Sequence, residues 1–202
     1  TSPINVYNAL SAVSLLAEFG LTKDRIAQCM ERLTIVESRY SEEEVNGRKL
    51  ILHLAKGQNP IACSQACQNV HNYPGKKTVL LLLDDAHDNA HSVENTAWLY
   101  DTDFQFLNDP DILQVVTAGP RHWDTYVRLL MAGIPEEKLV HKEDPLEAAS
   151  AMELNSADGI FVLYDLYSVN LSQQVKAQLH QRLTQTPVKE SAAEKEGEIH
   201  EN

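Results

Sequence analysis

Residues 84–91 carry ionisable side chains more densely than chance: Asp84, Asp85, His87, Asp88 and His91. They follow the apolar run 78–83, and in an open α/β sheet ligands bind just beyond the carboxyl ends of strands. The run suits either a divalent cation or a solvated acidic loop whose aspartates cap helices, and its mixed donor types favour the second. Residues 94–104 interleave acids with large aromatics, among them Glu94, Trp98, Tyr100, Asp101, Asp103 and Phe104. Two arrangements fit that pattern equally. One is a helix entry anchored by aromatics in the core; the other is a carboxylate held rigidly at a site or interface.

Other constellations invite chemistry and fail a geometric test. Cys63, Cys67 and His71 fall at i, i+4 and i+8, which on one helix puts the outer two about 12 Å apart along the axis. Zinc ligands must converge at about 2.0 to 2.3 Å from one ion, so these are read as buried thiols beside an unrelated histidine. Gly75-Lys76 with Thr78 mimics a phosphate loop, but it precedes a strand, whereas a phosphate loop follows one and opens a helix. Arg121 and Arg128 lie at the start and middle of one helix, where surface ion pairs are the commoner role and anion binding the alternative.

These residues need elements to hold them. Val6, Leu10, Val13, Leu16 and Ala17 recur at helical spacing, Gly20 ends that helix, and Thr22 caps a second. Residues 40–45 and 49–54 flank Asn46-Gly47, a favoured hairpin turn. Helix 60–70, strand 78–83, a polar loop, a short helix near 103–107, strand 113–116, helix 122–132 ended by Gly133, a short strand near Val140, helix 145–152, strand 159–164 and helix 166–183 follow. Apolar strands alternating with helices predict a mostly parallel α/β sheet covered on both faces. From about residue 184 the chain is Glu, Lys, Ser and Ala without apolar periodicity, and disorder is expected.

Composition excludes several classes. With 43% hydrophobic and 23% charged residues the chain is ordinary globular material. The longest apolar runs are strand-sized, too short to span a bilayer, and no basic start leads into an apolar stretch as a signal peptide would. A formal net charge of -12 without a basic patch repels nucleic acid and anionic membranes. Three cysteines, an odd count, fit a reducing cytoplasm. The chain opens on Thr1 inside what reads as a structured element, so a piece of a longer protein is expected.

Asn5-Val6-Tyr7-Asn8-Ala9-Leu10-Ser11-Ala12 resembles the Asn-x-x-Asn-x-x-Ala-Ala segment that closes the central ATPase domain of Mur ligases, where the amides help bind adenine. Arg39 falls where that family places an arginine before its third domain. The remainder resembles one branch, the MurT-type ligase subunits of lipid II isoglutaminyl synthase. The matching pieces are Leu54-Ala55-Lys56 with Asn59-Pro60 and Gln65, Asp88-Asn89-Ala90, Thr96-Ala97-Trp98-Leu99-Tyr100-Asp101 with Asp103-Phe104, then Gly119, Arg121, Arg128-Leu129 and Ala132-Gly133.

The resemblance implies a helical end piece of the ATPase domain at 1–35, a Mur ligase C-terminal α/β domain with a Rossmann-like, mostly parallel sheet at 36–183, and a tail at 184–202. It implies ATP and Mg2+ in the full subunit, with Asn5, Asn8, Arg39, Lys56 and Asn59 toward the nucleotide. The phosphate loop and a four-cysteine zinc ribbon belong upstream, so this chain alone is expected to be inactive. The implied reaction amidates the α-carboxylate of D-glutamate in lipid II, using ammonia from a GatD-type glutamine amidotransferase. In that branch the C-terminal domain docks the amidotransferase and offers an Asp to its Cys–His pair. The usual Asp-Thr-Ser-Trp reads Asn95-Thr96-Ala97-Trp98 here. Asn95 can orient a histidine without supplying charge, leaving Glu94 and Asp101 as the carboxylates nearby. Gly57-Gln58 is a two-residue excess within the Lys-Asn-Pro motif. A stand-alone Mur-like amide ligase and a non-catalytic docking module are the competing readings.

Overall fold

A computed structural model describes residues 3–32, 39–83 and 96–188, with backbone alone for 3–5. The chain divides into two compact units, Thr1–Val36 and Glu37–Asn202.

The first unit is a helix pair, α1 (Pro3–Glu18) and α2 (Lys23–Met30). Gly20, at φ +84°, ends α1 while the Leu21 amide donates back to the Leu16 carbonyl, the left-handed stop that glycine makes cheaply. Thr22 caps α2 by accepting from the Arg25 amide at 3.4 Å. Two helices cannot bury two apolar faces: Ile26 is buried, whereas Val6, Tyr7, Leu10, Leu15 and Phe19 are exposed.

The second unit is built on six strands, β1 (Tyr40–Val45), β2 (Arg48–Leu54), β3 (Lys77–Leu82), β4 (Ile112–Ala118), β5 (Leu139–Lys142) and β6 (Gly159–Tyr164). Their order is β1-β2-β6-β3-β4-β5, with β1 antiparallel to β2 and all other pairs parallel. Asn46 (φ +50°) and Gly47 (φ +74°) make the β1–β2 turn, the double left-handed geometry that matches strand twist. Helices α3 (Pro60–His71), α4 (Trp98–Asp101) and α5 (His122–Met131) pack on one face, and α6 (Pro145–Ala151) and α7 (Val169–Gln185) on the other. Strand side chains alternate between the two: Ile51, Leu81 and Leu163 serve the first core, and Leu52, Leu80 and Val162 the second.

One expectation changes. Residues 184–188 do not begin a loose tail: α7 runs to Gln185, the Asn46 side-chain amide donates to the carbonyls of Leu183 and Thr186, and Arg48 donates to that of Pro187 at 2.8 Å. Residues 189–202 lie outside the described residues. The Gly75-Lys76-Lys77 segment proves structural. Lys76 pairs with Asp111 at 2.7 Å. Lys77, only 2% exposed, donates to the carbonyls of His71 and Tyr73 and to Asp109 at 3.1 Å.

Burial pushes the Asp109 carboxyl up, but the Asp111 amide and the Lys77 ammonium outweigh it and hold the group below its ordinary value. Its stabilisation is therefore full above the unfolded carboxylate pKa of about 3.9 and is lost as pH falls through the lower folded value. Asp109→Asn leaves a buried ammonium without its counter-charge and is expected to cost about 3 kcal/mol, read as a lower denaturant midpoint at neutral pH with the slope unchanged.

Candidate functional site

The topology concentrates side chains at one edge. Crossovers from β2 and β3 lead to the α3–α5 face, whereas β6, which lies between them, leads to α7 on the opposite face. The carboxyl ends on either side of β6 are therefore switch points, the places where α/β sheets bind ligands.

Lys56, Gly57, Gln58 and Asn59 follow β2 at this edge. Lys56 (φ +51°) and Gln58 (φ +62°) both take left-handed backbone without being glycine, a cost of about 1 to 3 kcal/mol each that persists where neighbours over-determine the loop. The neighbours are identifiable. A Cβ on Gly57 would run into the Asp165 carboxylate and touch the Trp98 ring, so the loop closes over both. Asp165 follows the last residue of β6, is buried, and donates its amide to the Leu82 carbonyl at 3.1 Å. Asn59 spends its side-chain oxygen on the Ala62 amide at 3.1 Å, capping α3. Arg39, exposed, reaches the same edge because its carbonyl accepts from the Leu54 amide at 2.9 Å. Next to it, burial lowers the pKa of His53, favouring the neutral imidazole.

The structure thus gathers Arg39, Lys56 and Asn59 at one edge. Asn8 is exposed on α1 in the other unit, and nothing is described of the Asn5 side chain. Asn95, Glu94 and the 84–91 acidic run lie outside the described residues. Among the described residues no group of three or more His, Cys, Asp or Glu side chains could hold a metal ion, and none of the helices is long and apolar enough to cross a membrane. Cys63 and Cys67 are buried in the core, as their spacing predicts.

Asp101 sits apart from Lys56, on the outer side of α4. It lines a depression of about 420 Å³ between α3 and the 101–106 segment, with Ile61, Ser64, Gln65, Asp103 and Phe106. The core-anchor reading of the aromatic–acidic run holds for Trp98, Leu99 and Phe104, which are buried, while Tyr100 and Asp101 face solvent. The Trp98 indole N–H has no acceptor among the described residues.

Arg128 corrects the surface-pair reading. It is 5% exposed; its Nε donates to the Leu99 carbonyl at 3.0 Å and an Nη to that of Thr102 at 2.9 Å, with the guanidinium over the Phe104 ring. The fork satisfies the carbonyl end of α4, which four residues of helix cannot do alone. Arg121, by contrast, pairs with Asp124 near the surface at 3.5 Å.

The family model described as "MurT ligase C-terminal" matches residues 56–169. The chain belongs to the MurT ligase C-terminal family. The matched span holds Lys56, the whole of α4, Arg128 and Asp165. The MurT subunit of lipid II isoglutaminyl synthase (glutamine-hydrolyzing) from Streptococcus pneumoniae is 28% identical over 163 residues, covering 79% of this chain and 34% of that protein. The corresponding subunit from Staphylococcus aureus is 28% identical over 149 residues, covering 74% and 33%. The chain therefore spans about a third of the length of these MurT relatives. Solved structures agree on the fold: MurF from Acinetobacter baumannii superposes with a TM-score of 0.63 at 16% identity over 90% of this chain and 38% of its own. The UDP-N-acetylmuramate–alanine ligase MurC from Thermotoga maritima gives 0.62 at 15% over 90% and 39%.

Sequence reasoning missed Asp165 and the inward turn of Arg128. Asp165 had a usable signal, since it directly follows a wholly apolar strand, as Asp84 does. Arg128→Met is expected to remove about 2 kcal/mol of local stability from α4, read as faster hydrogen exchange at the Leu99 and Tyr100 amides with core-strand amides unchanged.

Proposed function

We propose that the chain is the C-terminal part of a ligase subunit that, with a GatD-type glutamine amidotransferase, amidates the α-carboxylate of D-glutamate in the lipid II stem peptide. The observation carrying this reading is the MurT family match across 56–169, supported by relatives named as subunits of a glutamine-hydrolyzing synthase.

The chemistry has two halves. In the ligase half, the carboxylate attacks the γ-phosphorus of ATP and ADP leaves, giving an acyl phosphate. Ammonia then attacks the acyl carbon, and the C–O bond pair departs with phosphate, leaving the carboxamide. In the amidotransferase half, water and glutamine yield glutamate and that ammonia. Within this chain Arg39 and Lys56 are cations at the carboxyl edge and suit contact with a polyphosphate. Asn59 holds α3 at the start of that edge. Asn5 and Asn8 would meet the adenine from the 1–35 segment, read as the end of the ATPase domain. The described residues offer no cluster for Mg2+, whose protein ligands are assigned to the rest of the subunit together with the nucleotide phosphates. The same holds for the zinc ribbon.

A carboxylate from this chain would orient the amidotransferase histidine and stabilise its imidazolium. Asn95 occupies the usual place without charge, so Glu94 and Asp101 are the carboxylates proposed for it; Asp101, the one of the two among the described residues, is exposed.

The test uses the full-length subunit with the amidotransferase encoded in the same genome. Glutamine hydrolysis is expected to rise on mixing, to fall on the order of 10²-fold or more with Asp101→Asn if that carboxylate serves the histidine, and to rise with Asn95→Asp. Lys56→Ala is expected to lower kcat for lipid II amidation on the order of 10²-fold while hydrolysis is retained. ATP-dependent ligation by the subunit alone, indifferent to the amidotransferase, would instead assign a stand-alone Mur-like ligase. Complex formation without any effect on hydrolysis would assign a docking module.

A further inference from the structure

Gly57-Gln58 separates Lys56 from Asn59-Pro60, and the reaction above uses neither residue of the pair. Both ends of the segment are fixed. The Ala55 amide donates to the Tyr164 carbonyl at 2.9 Å, and Asn59 is held by its cap on α3. Between those two points Lys56 and Gln58 take left-handed backbone, at φ +51° and +62°, a shape that persists only where its surroundings impose it. The Asn59 amide closes the loop on the Lys56 carbonyl at 3.2 Å.

The surroundings are Asp165 and Trp98. A Cβ at Gly57 would lie 2.0 Å from Oδ2 of Asp165 and 3.7 Å from Cζ2 of Trp98. The chain after β6 inverts the usual pattern of burial: Asp165 is 3% exposed, whereas Leu166 and Tyr167 are each 52% exposed. An aspartate at the start of a helical turn commonly aims its carboxylate at that turn's amides. The Asp165 side chain makes no such bond to the turn Leu166–Ser168; its backbone carbonyl takes the Ser168 amide at 3.1 Å. Burial of a carboxylate is costly, and here the group is turned onto the backbone of the loop that carries Lys56. Asp165 is itself anchored, since its amide donates to the Leu82 carbonyl at 3.1 Å. Trp98 closes on the loop from α4, which the Arg128 fork holds.

We propose that Asp165 is a positioning residue for Lys56. Its carboxylate, admitted by the bare Cα of Gly57, holds the two-residue excess in one shape, so that the Lys56 ammonium is presented at the carboxyl edge to phosphate oxygens of the nucleotide. Asp165 acts through Lys56 and contributes no contact to the reacting atoms. The proposal rests on the reading of Lys56 as a polyphosphate contact. A displacement of about 1 Å at such a group can cost on the order of 10²-fold in rate.

The experiment measures kcat for lipid II amidation by the full-length ligase subunit with the amidotransferase from the same genome. Asp165→Ala is expected to lower kcat on the order of tenfold alone, and by less than about twofold when added to Lys56→Ala, since the loop then has no cation to place. Asp165→Asn, which keeps the shape, is expected to stay within about threefold of the wild type. Gly57→Ala keeps Asp165 and pushes the loop from the other side, so it tests the contact even where Asp165→Ala does not fold. It is expected to lower kcat on the order of tenfold, and to lower it no further once Asp165→Ala is present. An Asp165→Ala loss of the same size with and without Lys56 overturns the proposal and leaves the two-subunit reading standing, as does wild-type kcat in Gly57→Ala. Wild-type kcat in Lys56→Ala removes the phosphate role of Lys56 and overturns the proposal with it. No amidation by the wild-type pair overturns the proposed function as well.

Discussion

The parallel pairing of β6 between β2 and β3 is the constraint on which the rest of the unit depends. Its register is shared: Gly159 to Tyr164 lie opposite Lys49 to Leu54 on one side and Lys77 to Leu82 on the other. β6 therefore ends level with β2 and β3, and Asp165 follows it beside Leu82, whose carbonyl takes its amide. That placement explains the loop after β2. Gly57 must lack a side chain because the Asp165 carboxylate lies where a Cβ would go, and the left-handed turns at Lys56 and Gln58 carry the chain around it.

Two buried cations divide the remaining work. Lys77 ties the amino end of β3 to α3 and to Asp109, on the side of the sheet away from the candidate site. Arg128 reaches from α5 to the end of α4 and holds only oxygens that carry no formal charge. A desolvated guanidinium is costly, and here it orders a single helical turn whose outer residues face solvent. The inner side of that turn sends Trp98 against Gly57 and the outer side sends Asp101 into the α3 depression. One short element thus touches both the loop after β2 and the depression beside α3.

Much of the fold was legible because its signals are local. Asn46-Gly47 marks a turn, Asn59-Pro60 starts a helix, Gly133 ends one, and runs such as residues 78–83 announce strands buried on both faces. What escaped depends on tertiary neighbours. A lone arginine at mid-helix does not disclose which side of α5 meets α4, and Lys77 looks like a surface residue until Asp109 is folded against it. The order of the chain past the apolar periodicity of α7 depends on Asn46, which donates to the Leu183 and Thr186 carbonyls, and on Arg48, which donates to that of Pro187. The site was legible in part. Arg39 and Lys56 share an edge because β1 starts beside the end of β2, its antiparallel partner, while Asp165 required the strand order. Asn95 and Glu94 fall outside the described residues, so the acid of the proposed histidine pair rests on the motif and on the exposure of Asp101.

The proposed function requires that nitrogen released from glutamine by a partner subunit be delivered to a stem-peptide carboxylate activated by the ligase subunit. Glutamine labelled in its amide nitrogen, supplied with ATP and lipid II to the two full-length subunits, tests it directly by mass spectrometry of the product. The account predicts label in a new carboxamide at the D-glutamate α-carbon position, dependent on ATP and on both subunits. An unlabelled carboxamide formed in the presence of labelled glutamine, or lipid II returned unchanged while glutamine is hydrolysed, would contradict it.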